Sequence, residues 1–127
     1  MTAVDTLTLM AIVLGEPEAN SCIASLAPED NILISAGTMA EALIVSARRK
    51  ISEEISSPID GLGLEIVTLT PAAARRIRHA YERWGKGLHP AGLNFGDCFA
   101  YEVAKEHSCR LIYVGNDFSK TDVESVL

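Results

Sequence analysis

A three-layer α/β domain, with a mainly parallel sheet of four to five strands covered by helices on both faces, is the fold class this sequence predicts. Three observations lead there. Short apolar runs, Thr2–Val4, Asn31–Ser35, Glu65–Leu69 and Arg110–Val114, alternate with longer stretches whose apolar residues fall on a helical period. Strands separated by helices must cross over to pair, and crossovers give parallel pairing under helical cover. Size is the third: 127 residues, 48% hydrophobic and free of low-complexity runs, suffice for a single domain over residues 1–127.

The elements follow in order. Thr2–Val4 is read as a strand ending at Asp5, with Thr6 capping a helix through Leu7, Leu9, Met10, Val13 and Leu14 that Gly15 stops. Glu16-Pro17-Glu18 opens a second helix carrying Cys22, Ile23 and Leu26, broken at Pro28-Glu29-Asp30. After the Asn31–Ser35 strand, Thr38–Lys50 is an amphipathic helix with Ala40, Leu43, Ile44 and Ala47 as its expected core stripe. Glu41 lies at the edge of that stripe.

Ile51–Leu62 reads as a helix weakened by Pro58 and closed near Gly61 and Gly63. Thr70-Pro71 joins a cap to a proline at the first helical position, predicting a helix to Trp84 with Ala74, Ile77, Tyr81 and Trp84 inward. Gly85–Leu93 is a loop, and Asn94 caps the last long helix. Beyond the Arg110–Val114 strand the chain turns at Gly115-Asn116-Asp117-Phe118, and Thr121, Asp122 and Val123 add a short strand.

Composition excludes several classes. A net charge of −6 gives no general attraction for nucleic acid, although eight of the eleven Lys and Arg lie between Arg48 and Lys86. Cys22, Cys98 and Cys109 are odd in number, lack C-x-x-C spacing and sit among apolar neighbours, which predicts buried thiols in a reducing cytosol. The N-terminus has no basic leader, and the run from Leu9 to Leu14 is too short to span a bilayer. A cytoplasmic protein with no membrane partner is expected.

Phosphate loops, nucleophile elbows and histidine pairs at ligand spacing are missing, so the candidate chemistry rests on carboxylates. Asp97 shares a helical face with Ala100, Tyr101 and Ala104, at i+3, i+4 and i+7, which points it inward. A buried charge is costly unless a cation or partner accompanies it. The ordinary alternative is an exposed or helix-capping acid, because Asp favours surfaces and first turns. Asp5 and Glu41 weigh against it, since both also sit where an apolar strand or stripe meets a helix. If the three converge, each pair about 4 Å apart repels by about 4 kcal/mol at an effective dielectric near 20. Such a penalty calls for protonation or a hard divalent cation, Mg2+ with Mn2+ as substitute, and the chemistry would be hydrolysis of a phosphodiester.

Four stretches in this order, Val4-Asp5-Thr6, Ala40-Glu41-Ala42-Leu43, Asn94-Phe95-Gly96-Asp97-Cys98-Phe99-Ala100-Tyr101 and Tyr113-Val114-Gly115-Asn116-Asp117-Phe118, resemble the PIN-domain ribonucleases of bacterial toxin–antitoxin pairs, the VapC toxins. The resemblance covers essentially the whole chain. It implies a PIN-like sandwich, a magnesium-dependent endoribonuclease acting on RNA, and a cognate antitoxin; a homodimer is expected as well. It also implies that Asp5, Glu41 and Asp97 are catalytic metal ligands. Many relatives carry adjacent aspartates at the fourth acid position, where this chain has Asn116 and Asp117, so either Asp117 is the ligand or an amide stands there. Relatives often have Ser two residues after the first Asp, where this chain has Leu7; a hydroxyl orienting the cluster must then come from Thr6 or Thr8, or be absent.

On the Thr70 helix, Arg75, His79, Arg83 and Lys86 fall at i, i+4, i+8 and i+11 as one stripe, and Arg48, Arg49 and Lys50 end the Glu41 helix. These are candidate contacts for RNA phosphates, against the plainer reading of a solvated helix face. A phosphoacceptor receiver domain is the main rival of similar size. That reading needs an acid pair after the first strand, an Asp after the middle strand and a Lys after the last, whereas here Asp5 stands alone, Glu65–Thr70 contains no Asp and no Lys closely follows Tyr113. A PIN fold that binds RNA or a partner without cleaving is the alternative within the same fold.

Overall fold

The computed structural model describes residues 1–125, apart from the side chains of residues 56–59. Its elements are β1 (Thr2–Val4), α1 (Thr6–Leu14), α2 (Ala19–Leu26), β2 (Ile32–Ser35), α3 (Ala36–Arg48), α4 (Ser52–Leu62), β3 (Glu65–Val67), α5 (Pro71–Trp84), α6 (Phe95–Glu106) and β4 (Arg110–Ile112). The sheet runs β3-β2-β1-β4 and is parallel at every pairing. The expected tail strand is smaller than predicted. It reduces to a parallel bridge between Leu111 and Ser125, beyond Thr121–Val123.

The two-residue period of the strands builds the two outer layers. Ala3, Leu33 and Leu111 point to one side, where they pack with Ile77, Ala80 and Trp84 of α5 and with most of α6. Val4, Ile32, Ile34 and Ile112 point to the other, against Leu9 and Met10 of α1, Cys22 and Leu26 of α2, Met39 and Ala42 of α3, and Ile55 of α4. The three cysteines are free, with Cys22 and Cys98 buried and Cys109 half-buried. Among the described residues no helix is long and apolar enough to cross a membrane.

Helix starts follow their sequence signals. The Thr70 hydroxyl accepts from the Ala73 amide at 3.0 Å, with Pro71 at the first helical position. Asn94 accepts from the Asp97 amide at 2.9 Å while Asp97 accepts from the Asn94 amide at 3.0 Å, a reciprocal capping box. At α1 the expectation needs correcting: Asp5 holds the N-cap position and Thr6 is the first helical residue. Gly15 ends that helix in the left-handed region, at φ 63°.

Several faces differ from the predicted ones. On α3 the buried residues are Thr38, Met39, Ala42 and Ser46, whereas Ala40, Leu43, Ile44 and Ala47 face outward. Ile44 is 60% exposed. Small residues let α3 lie close to the sheet and α6, and the bulky apolar ones are left outside. On α5, Ala73 and Ala80 are buried beside Ile77 and Trp84, so Ala74 and Tyr81 turn out by a residue's rotation. Leu7 and Leu14 of α1 and Ile23 of α2 are exposed. Strands β3 and β4 stop two residues short of the predicted Leu69 and Val114, leaving the carboxyl edge of the sheet to loops.

Candidate functional site

Parallel strands bring their carboxyl ends to one edge, and α6, which precedes β4, starts at that same edge. Asp5 directly follows β1, Glu41 lies in the second turn of α3 just after β2, Asp97 in the first turn of α6, and Asp117 in the turn after β4. All four line one cleft of about 160 Å³, together with Thr6, Leu7, Met10, Glu16, Val45, Arg49 and Asn94. The structure therefore brings together the acids that the sequence scatters over more than a hundred residues. Asn116 is not among the residues lining the cleft.

The acids feel one another. Asp5 is only 2% exposed, and burial first, then the charges of Asp97 and Glu41, push its carboxyl from 3.8 up to about 7, against the pull of the Thr6 and Leu7 amides. Asp97 rises from 3.8 to about 6, again mainly by burial, with Asp117 and Glu41 adding repulsion against the Asn94 amide that its carboxylate accepts. Glu41 accepts a hydrogen bond from the Thr6 hydroxyl at 2.6 Å. Thr8 is spent elsewhere, donating to the Ile112 carbonyl at 2.9 Å. Of the two threonines, Thr6 is the one whose hydroxyl bonds an acid of the cleft.

Five carboxylates line the cleft, the four above and Glu16, and among the described residues Arg49 is its one basic side chain. Hard oxygen donors carrying surplus negative charge suit Mg2+ or Mn2+, and no thiolate or imidazole competes at this cleft. Among the described residues, no three His, Cys, Asp or Glu side chains are already drawn into a ready-made ligand cage. Glu41 is turned to Thr6 and Asp97 to Asn94, so binding a cation requires these acids to draw inward.

A PIN-domain family profile matches residues 2–124. Mycobacterium tuberculosis ribonuclease VapC36 is 43% identical over 95% of this chain and 90% of its own length. The chain is a PIN-domain protein of the VapC family. Ribonuclease VapC30 of the same organism is 34% identical, with 97% of this chain and 96% of that protein aligned. Among solved structures, Mycobacterium tuberculosis VapC20, described as a sarcin–ricin loop cleaving toxin, superposes with a TM-score of 0.78 at 14% identity, covering 97% of this chain and 96% of that one. A toxin–antitoxin complex from Klebsiella pneumoniae superposes at 0.73 and 18% identity, covering 96% and 93%. At those identities the structures speak for the PIN fold alone.

Within this VapC-family chain the basic stripe lies away from the acids. Arg75, His79 and Arg83 are exposed on α5, whereas Lys86, expected to continue the stripe, lies in the loop after the helix ends at Trp84, and none of the four lines the cleft. Arg83 sits 4.6 Å over the Trp84 ring and 3.8 Å from Asp122, and His79 lies 3.4 Å from Glu82. Arg49 and Arg48 are nearer the chemistry. Arg49 is on the cleft wall, and Arg48 lines an adjoining apolar groove of about 510 Å³ with Gly37, Ala40, Ile44, Leu69, Phe95 and Phe99. Glu41 and Val45 line both cavities. Glu16 was read only as a helix-opening acid, yet it lies on the cleft wall while α2 begins at Ala19. No local pattern marks Glu16 as a site residue.

Proposed function

We propose that this chain is the toxin of a type II toxin–antitoxin pair and a divalent-cation-dependent endoribonuclease acting in the cytoplasm. The observation that carries this reading is the convergence of Asp5, Glu41, Asp97 and Asp117 on one cleft, two of them held above their ordinary pKa. The relatives named ribonucleases support it.

Asp5, Asp97, Glu41 and Asp117 are the residues that would hold Mg2+ or Mn2+. The ion supplies charge neutralisation at the scissile phosphate and a water acidic enough to attack it near neutral pH. Asp5 and Asp97, whose carboxyls stand above their ordinary range, would hold the cation in their ionised forms. Thr6 fixes the rotamer of Glu41, and Asn94 fixes that of Asp97. Arg49 on the wall and Arg48 beside it supply positive charge for RNA phosphates flanking the cleaved bond, with Arg75, His79, Arg83 and Lys86 as outlying contacts. The test is cleavage of a structured RNA by the purified chain. Cutting is expected with Mg2+ or Mn2+ and not with chelator; cutting that persists in chelator would overturn the metal mechanism.

The apolar groove is the docking face we assign to the antitoxin. Its lining leads to Glu41, so a segment laid on Ile44, Leu69 and Phe95 can send a basic side chain among the acids and pair with a carboxylate. Ile44→Asp changes an exposed position and should leave folding and RNA cleavage within about threefold of wild type, since surface substitutions usually cost little. It is expected to abolish co-purification of the small partner encoded in the native operon. Retention of that partner by Ile44→Asp would place it on another face.

A further inference from the structure

Gly96 is the second residue of α6, buried, between Phe95 and Asp97. A Cβ built there would overlap Glu41 Oε2 and come within 2.6 Å of the Glu41 carboxyl carbon and Oε1. The three heavy atoms nearest to that imagined Cβ all belong to the one carboxylate. Glu41 therefore rests directly on the first turn of α6, and the Thr6 hydroxyl, 2.6 Å from Oε1, holds it there. The positive end of the helix lies on the same side.

A second glycine makes the matching contact. A Cβ on Gly37, in the first turn of α3, would come within 2.6 Å and 2.7 Å of atoms in the Phe99 ring. The two helices interlock, each setting a side chain onto the other's glycine. Their consequences differ. Phe99 is 8% exposed and packed in the core, so it has little room to retreat. Glu41 borders the open cleft, so its carboxylate can swing aside with little cost to folding. Backbone conformation sets no barrier at Gly96, which is not among the glycines of positive φ, and Ala is the better helix former.

We propose that Gly96 is a positioning residue: its missing side chain sets where the Glu41 carboxylate stands, and thereby the affinity of the cleft for a divalent cation. This rests on the cation-binding reading given above.

Calorimetric titration with Mn2+ tests it on four proteins: wild type, Gly96→Ala, Glu41→Ala and the double variant. Gly96→Ala is expected to bind Mn2+ at least about tenfold more weakly, while its melting temperature in chelator equals or exceeds that of wild type. In the Glu41→Ala background the same change should have no further effect, because the group it displaces is gone. Wild-type affinity in Gly96→Ala, or an undiminished loss in the double variant, overturns the proposal. A wild-type protein that binds no Mn2+ overturns the cation reading and this inference with it, a result distinct from tight binding that survives Gly96→Ala. Should Gly96→Ala fail to fold, the double variant relieves the overlap and is expected to fold; its failure also refutes the assignment.

Discussion

Asp5→Asn is expected to lower cation-dependent RNA cleavage by about 10²–10³-fold and, in chelator near neutral pH, to raise the melting temperature. The two effects have one cause. Asp5 is 2% exposed and faces Asp97 and Glu41, so without a cation its ionised form opposes folding. The unfolded chain releases this proton near 3.8, whereas the folded chain keeps it to about 7, and Asp97 behaves likewise with about 6. Between those limits the folded state binds more protons than the unfolded state. Stability is then full at the acid end and falls as pH rises through 6 to 7. From about pH 5.5 to about pH 7.5 the loss is on the order of 2 kcal/mol, or roughly 5–10 °C for a domain of this size. Glu29 and Asp122 are lowered rather than raised, and their contribution is lost only on the acid side of the ordinary carboxylate range, outside this window.

Thermal melts at both pH values, with chelator and with Mn2+, check this. Wild type should melt lower at the higher pH in chelator, and Mn2+ should recover that loss. Asp5→Asn should flatten the pH slope and remove most of the Mn2+ gain. A wild-type melting temperature indifferent to Mn2+, or a variant less stable than wild type in chelator, would falsify the clustered site.

Some of this was legible in the sequence because its chemistry is local. Thr70-Pro71 and Asn94 with Asp97 start helices through bonds formed within a single turn, so their signatures survive without tertiary information. Asp97 was read as either a helix-capping acid or an inward-facing one. It is both, bonding the Asn94 amide while lying 6% exposed beside Asp117. The alternation of strands and helices likewise needs only the periods 2 and 3.6.

What failed was the choice of face. The period of α3 was read correctly, yet Leu43 and Ile44 face out while Thr38 and Ser46 are fully buried. Here small residues, Thr38, Ala42 and Ser46, pack closely against the sheet and α6, which leaves Leu43 and Ile44 on the outer face. Gly96 was illegible as a site residue for another reason, and Arg49, a candidate phosphate contact from the sequence, could not be placed on the cleft wall from it. A glycine matters here because of a carboxylate fifty-five positions earlier, and Arg49 because of where α3 ends relative to β1 and α6. Nothing within a window of ordinary length encodes either relation. The family resemblance supplied Asp5, Glu41 and Asp97 together, but left Asn116 and Asp117 undecided because the turn after β4 determines which one faces the acids.

The structure puts Asp117 and not Asn116 on the cleft wall, and the second large expected effect starts from that placement. Asp117 is half-buried and lines the cleft, and its charge helps to hold the Asp97 carboxyl above the ordinary range. Asn116 is exposed, and its backbone carbonyl accepts from the Ser119 amide at 3.2 Å and the Ser119 hydroxyl at 2.7 Å, which fixes the turn. Gly115, at φ 92°, allows the chain to reverse there. A carboxylate brings a full charge to a hard cation and an amide does not. Asp117→Asn is therefore expected to weaken Mn2+ binding by about tenfold or more and to slow cleavage by about 10²-fold. Because it also removes repulsion from Asp97, it should leave the chelator-treated protein at least as stable. Asn116→Asp should change both binding and cleavage by no more than about twofold, since an added surface charge is screened. Titrating both single variants with Mn2+ and measuring their cleavage rates decides the matter. Tighter binding by Asn116→Asp, together with unchanged binding by Asp117→Asn, would mean that the amide, and not Asp117, stands at the fourth position.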